Sequence, residues 1–162
     1  MKNYILLSVI APVLLLGAAA LLSHKTYRVE RVINAPAEKI WAVLMNTAAY
    51  GDWNPVFVKV DGTYRAGSKV QNTFQDPSGK LFEVTNSVVT VTPNRELRQK
   101  GGMPGVITFD HQWLLQPVEG GTRVIQNEVD RGLYVWFWDD SWIIPKYTQV
   151  LEALDAQVNK AM

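Results

Sequence analysis

Cysteine is absent from this chain of 162 residues. Disulfides, thiolate metal ligands and a lipid-modified cysteine anchor are thereby excluded. Histidine occurs only at His24 and His111, and no His, Asp and Glu residues fall at metal-ligand spacing. No metal and no cofactor is expected. Neither sign of charge dominates: 16 Lys and Arg stand against 15 Asp and Glu, for a net charge of +1. There is no extended basic run, so nucleic acid is not an expected partner. The stretch Gly101-Gly102-Met103-Pro104-Gly105 lacks both the following helix and the Lys-Ser/Thr pair of a phosphate loop. No Gly-x-Ser-x-Gly elbow occurs. These absences argue against a common hydrolase, a nucleotide enzyme and a zinc enzyme. Acid–base chemistry stays open.

What is present begins with an apolar N-terminus. Residues 4–22 carry no charge, and only Ser8 is clearly polar. That length suits a single bilayer crossing, which takes about 20 residues. A cleaved signal peptide would use Lys2 as its basic region and Ala18-Ala19-Ala20 as its cleavage site. A retained anchor and a buried globular helix are the alternatives. The run continues through Leu21 and Leu22, which favours the anchor, and Pro12 is tolerable in a membrane helix. Residues 1–25 are therefore expected to form a single-pass membrane anchor, and residues 26–162 one folded domain. Lys25, Arg28, Arg31 and Lys39 follow the segment, which prefers the cytoplasmic face for that domain. A short tail with one Lys also suits a signal anchor, so a periplasmic domain stays open.

The domain reads as strand 27–33, helix 37–45, a helical turn at 47–51, then strands at 56–60, 69–75, 80–92, 96–100, 106–115 and 122–130. Gly101 to Gly105 reads as a flexible connection. A long amphipathic helix over 141–161 carries Ile144, Tyr147, Val150, Leu151, Leu154 and Val158 near a 3.6-residue period. Antiparallel strands with helices gathered on one side make an α+β fold. Pro36 suits a first helical turn, and Glu38 favours the helix dipole there. The motif Asn34-Ala35-Pro36-x-Glu38-x-Ile40-Trp41, followed by Tyr50-x-x-Trp53-Asn54-Pro55, resembles the START/Bet v 1-like (SRPBCC) superfamily. The nearest branch is the polyketide cyclase/dehydrase and lipid-transport group. The resemblance implies a helix-grip fold: a curved antiparallel sheet around a long C-terminal helix, enclosing an apolar cavity.

The best polar pair comes from the last hairpin. With Glu119-Gly120 as a two-residue loop, Val118 pairs with Gly121. His111 then falls opposite Glu128, Trp113 opposite Gln126 and Leu115 opposite Val124, all on one face. In a cavity, Glu128 would raise the pKa of His111 and orient its ring. The two could move a proton on a bound carbonyl compound. A three-residue loop would shift the register and dissolve the pair, and an exterior pair would do nothing chemical. Trp53 and Asn54 are candidates for the cavity entrance, with core filling and turn capping as the alternative. Phe74, Phe82, Phe109 and Trp113 are candidate walls, although core and wall share one face. The aromatic run Leu133 to Trp142, with Trp138 the candidate ligand contact, reads as a cavity lid, an interfacial anchor or core packing.

The leading expectation is a membrane-tethered domain binding a hydrophobic small molecule, lipid or polyketide-like. Affinity would come from apolar burial at about 25 cal/mol per Å². The alternatives are a cyclase/dehydratase using His111 and Glu128 as acid and base, and a protein-interaction domain using the Trp136 to Trp142 patch. A pocket of several hundred Å³ with convergent polar atoms would fit the first.

Overall fold

The structure, a computed structural model, describes residues 23–160 without a break, together with residues 10, 12, 14, 15, 17 and 18, which are helical. The rest of the apolar segment 4–22, on which the expected anchor falls, lies outside the described residues. Among the described residues no helix is long and apolar enough to cross a membrane.

Strand β1 (His24–Ile33) leads into helix α1 (Ala37–Met45). Pro36 sits at the helix entry with φ −68° and ψ 151°, and Glu38 lies in the first turn. Ala37, Ile40 and Leu44 form the buried stripe of α1. Ile40 and Leu44 are fully enclosed, each worth about 1.5–3 kcal/mol of apolar burial. A 3-10 turn (Thr47–Ala49) and the one-turn helix α2 (Tyr50–Trp53) follow. The Tyr50 hydroxyl donates to the Leu44 carbonyl at 3.0 Å and satisfies an otherwise orphaned end of α1.

Six strands then run as a meander: β2 (Phe57–Asp61), β3 (Lys69–Gln75), β4 (Leu81–Thr92), β5 (Glu96–Met103), β6 (Ile107–Val118) and β7 (Gly121–Arg131). They form one curved antiparallel sheet in the order β1-β7-β6-β5-β4-β3-β2. Bulges between Phe57 and Lys59 and between Val88 and Thr90 add to its bend. After the 3-10 turn Leu133–Trp136, helix α3 (Ile143–Lys160) crosses the concave face.

The element order is the one the sequence predicts, and three details differ. β5 does not stop at Lys100: Gly101, Gly102 and Met103 pair with Phe109, Thr108 and Ile107, so three of the five residues of the expected flexible connection are sheet. Glycine is required there because a Cβ on Gly101 would collide with the Asn86 amide and the Phe109 ring. β6 continues past Leu115 to Val118 and includes Pro117. β5 pairing ends at Leu114, so the missing Pro117 N–H costs no ladder bond to that side. In α3 the buried stripe starts from Ile143, while Ile144 is 41% exposed. The helix therefore presents a slightly rotated face from the one the apolar spacing suggests.

Candidate functional site

The β6–β7 hairpin closes through Glu119-Gly120, with Val118 opposite Gly121. His111 lies opposite Glu128, Trp113 opposite Gln126 and Leu115 opposite Val124, the register expected from the two-residue loop. Their shared face is the concave one, and β1 extends the row by setting Tyr27 opposite Glu128.

Between this face and the start of α3 lies a cavity of about 80 Å³. Val56, Phe57, Phe74, Val84 and Phe109 supply apolar wall from the sheet, and Trp138, Trp142 and Ile143 close it from the α3 side. The polar groups converging on it are Asn72, Asn86, His111, Glu128, Asp130 and Tyr147. The volume is well below the several hundred Å³ expected of a pocket for a drug-sized compound.

Phe74, Phe109, Trp138, His111 and Glu128 thus line the cavity, as the sequence suggests. Four other candidates do not. Phe82 stacks behind Phe74, with ring centroids 5.1 Å apart. Trp113 is 2% exposed in the core and meets the His111 ring edge-on at 5.7 Å. Trp53 is buried against Tyr50 and lines a separate groove between α1 and the C-terminal end of α3. Asn54 accepts hydrogen bonds from the Val56 and Phe57 amides at 2.9 and 2.8 Å, so its side-chain oxygen shapes the turn into β2.

Sequence reasoning missed Asn72, Asn86, Asp130 and Tyr147. Strand parity held the signal for the first three. Asn72 alternates with Val70 and Phe74, Asn86 with Val84 and Val88, and Asp130 with Glu128. Tyr147 was in the predicted stripe of α3, but only the packing shows that its hydroxyl meets Glu128.

The electrostatics of this patch follow from burial. Desolvation lifts the Glu128 carboxyl to about 8, and nearby Asp130 adds to the shift, opposed by the hydrogen bond from Tyr147. Desolvation also raises Asp130, to about 7, helped by the charge of Asp140. The two carboxyls lie close enough to shift one another's titration. Neither Asp130 oxygen has a hydrogen-bond partner among the described residues, and an unpaired buried carboxyl favours its neutral form. Asp140 itself is held low, by a 2.8 Å ion pair to Lys25 and then by a 2.8 Å hydrogen bond from Tyr27.

His111 departs from expectation. Its pKa is not raised by Glu128 but lowered to about 4 by burial, which outweighs the attraction of Asp110. Glu128 carries its own proton at neutrality and so offers His111 no negative charge. The Gln126 amide nitrogen lies 3.1 Å from His111 Nε2. With that amide donating, the ring proton sits on Nδ1.

The site therefore combines a neutral carboxyl able to donate, a neutral imidazole, and amide oxygens able to accept. The side-chain oxygens of Asn72 and Asn86 are buried and have no protein partner among the described residues. A ligand hydroxyl or amide would satisfy them. Among the described residues no group of three or more His, Asp or Glu side chains is arranged to hold a metal ion.

The same architecture recurs in other proteins. An uncharacterised protein from Rhizobium leguminosarum superposes with a TM-score of 0.68 at 17% identity, covering 85% of this chain and 96% of that one. Protein CV1439 from Chromobacterium violaceum gives 0.67 at 22% identity, covering 82% and 96%. The di-domain aromatase/cyclase StfQ of the steffimycin biosynthetic pathway gives 0.70 at 10% identity, covering 85% of this chain and 52% of that one. At these identities the likeness shows the fold alone. No curated protein matches the sequence. The family model described as polyketide cyclase / dehydrase and lipid transport matches residues 24–159. The chain belongs to that family.

Proposed function

We propose that this chain is a membrane-tethered binding module for an apolar small molecule carrying a hydroxyl or similar donor. One observation carries the reading: an aromatic-walled cavity lined by Asn72 and Asn86, whose buried side-chain oxygens have no partner among the described residues, together with the raised carboxyl of Glu128. Lipid or polyketide-like compounds have the required mixture of apolar body and few polar atoms. About 80 Å³ is smaller than the ~150 Å³ that admits a benzene ring. Entry of such a ligand therefore requires rings to move. Trp138 and Trp142, half-buried at the rim, are the groups that yield. The uncharged segment 4–22 supports the tether, and the cationic residues after it support a cytoplasmic-facing domain.

The test is native mass spectrometry of the purified full chain, with intrinsic Trp fluorescence on adding long-chain hydroxylated fatty acids. A stoichiometric apolar adduct and quenching of the Trp emission are expected. Val84→Trp, which fills the cavity, should abolish both. Wild-type spectra with neither adduct nor quenching would overturn the proposal.

A second reading is favoured by the carboxyl pair. Glu128 and Asp130 titrate near neutrality, where a general acid is most effective. A cyclase or dehydratase would use Glu128 as the acid on a carbonyl chain, with neutral His111 as the accepting base. Glu128→Gln and His111→Asn should then each abolish turnover of such a chain while leaving the thermal transition in place. Full activity in both variants would refute this role.

A further inference from the structure

A surface outside the cavity carries exposed rings that the fold does not use. In the 3-10 turn after β7, Trp136 is 56% exposed, the following Phe137 80%, and Tyr134 48%. Beside them stands the β5–β6 turn, with Met103 63% and Val106 46% exposed. The two segments are bonded together. The Leu133 amide donates to the Gly105 carbonyl at 3.3 Å, and the Tyr134 amide to the Val106 carbonyl at 3.0 Å. Trp136 and Phe137 leave most of their ring surface in water, and a cluster of large exposed apolar side chains of this kind marks a contact surface.

The chain outside the described domain indicates what covers them. The uncharged run ends at residue 22. At the next residue, the Ser23 carbonyl accepts from the Gly132 amide at 3.4 Å, one residue before the aromatic turn. His24 then pairs with Arg131, and Arg131 with Thr108, at this same end of the sheet. No linker separates the apolar run from the patch. A bilayer holding residues 4–22 would lie within a few residues' reach of Trp136 and Phe137.

The patch also leads into the cavity. Tyr134 stacks on Trp138 with centroids 6.4 Å apart, and Trp138 meets Trp142 at 6.1 Å. Trp138 and Trp142 both line the cavity. Of the acidic pair nearby, Asp140 is bridged to Lys25 at 2.8 Å, whereas Asp139 accepts only from the neutral Ser141 amide at 3.1 Å and keeps its negative charge. Docking would thus depend on rings at the headgroup level, which Trp and Tyr favour, and not on anionic lipid.

We infer that Tyr134, Trp136 and Phe137, with Met103 and Val106 beside them, seat on the lipid bilayer that holds residues 4–22, so that the cavity mouth opens towards lipid. The inference rests on the membrane tether proposed above and adds an orientation to it. A ligand would pass along the Tyr134–Trp138–Trp142 rings without crossing bulk water.

Because the chain has no cysteine, single reporter sites can be introduced cleanly. Phe137→Cys and Glu119→Cys, each bearing an environment-sensitive fluorophore, would be placed in the full chain. Glu119 lies in the β6–β7 turn at the opposite end of the sheet, ~35 Å away along β6 by strand rise. The proteins are reconstituted in phosphatidylcholine vesicles with and without acyl-chain-brominated phosphatidylcholine. The probe at 137 should shift to the blue and be quenched at least twofold by brominated lipid, equally with or without added phosphatidylglycerol. The probe at 119 should report water throughout. A floating chain whose probe at 137 behaves like that at 119 would sink the docking alone. A blue shift at 137 without lipid quenching would show that protein covers the rings, and would sink it equally. A chain that fails to float with the vesicles would sink both docking and tether.

Discussion

Glu128→Gln provides the sharpest test of the site, because the buried carboxyl pair gives folding stability a pH dependence of definite sign. Burial raises both Glu128 and Asp130. The folded state therefore keeps protons that the unfolded chain has already released. Stability contributed by these groups is full below ordinary carboxylate pKa values and is lost as pH rises through the folded values of about 8 and about 7. His111 acts in the opposite sense. It stays neutral in the folded state until about 4, against an ordinary imidazole value of 6.5, so its contribution grows with pH across that interval and is then constant. The lowered carboxyls of Asp110, Asp139 and Asp140 act only at the acid end, where their stabilisation is lost as pH falls. The window from pH ~6.5 to ~8.5 thus belongs mainly to Glu128 and Asp130. At ~1.4 kcal/mol per proton per pH unit, the wild type should lose about 3 kcal/mol across it. Glutamine keeps the shape and can still accept from Tyr147 and donate to Asp130. It has no proton to lose, and it removes the charge that helps hold up its neighbour. The loss in Glu128→Gln should shrink to under ~1 kcal/mol. Urea unfolding at half-unit pH intervals, followed by circular dichroism, measures both curves. A wild-type stability that is flat or rising over this window would refute the raised titration of the two carboxyls, as would an unchanged slope in the variant.

Other perturbations follow from particular contacts. Gly101→Ala drives a methyl into the Asn86 amide and the Phe109 ring. It should cost about 1–3 kcal/mol as overpacking and weaken fatty-acid quenching through the shifted cavity wall. Asn54→Ala strands the Val56 and Phe57 amides; thermal unfolding should show a loss of about 1–3 kcal/mol, with ligand quenching retained in the remaining folded protein. Ile143→Ala should cost about 2–4 kcal/mol, whereas Ile144→Ala, on the exposed side of α3, should stay within about 0.5 kcal/mol. Equal losses would place the helix face wrongly.

Much of the architecture was legible along the chain because its determinants are local. Pro36 and Glu38 announce α1. The two-residue Glu119-Gly120 turn sets the β6–β7 register, and with it the meeting of His111 and Glu128, since side chains alternate with a period of two. Alternation also put Phe74 and Phe109 on the concave face. It could not say which concave residues would meet empty space and which would be packed. Trp113 and Phe109 stand four apart on one face of β6, yet one is core and the other wall. The difference depends on where α3 lies across the sheet. Trp53 and Asn54 fall outside the cavity lining for the same reason: where they sit depends on how α1 and the end of α3 pack, with Trp53 against Tyr50 and a groove beside α1.

The order of strands and helices, the antiparallel pairing and the hairpin register were written in the sequence, because each depends on residues close together in the chain. The chain alone also placed an uncharged run directly ahead of β1. Only the tertiary structure decided the size of the cavity, the protonation of its groups and the end of the sheet at which the exposed rings gather. Those depend on burial by partners far away in sequence. Glu128 is an ordinary acid until the fold buries it beside Asp130, and His111 stays neutral because burial penalises its charged form.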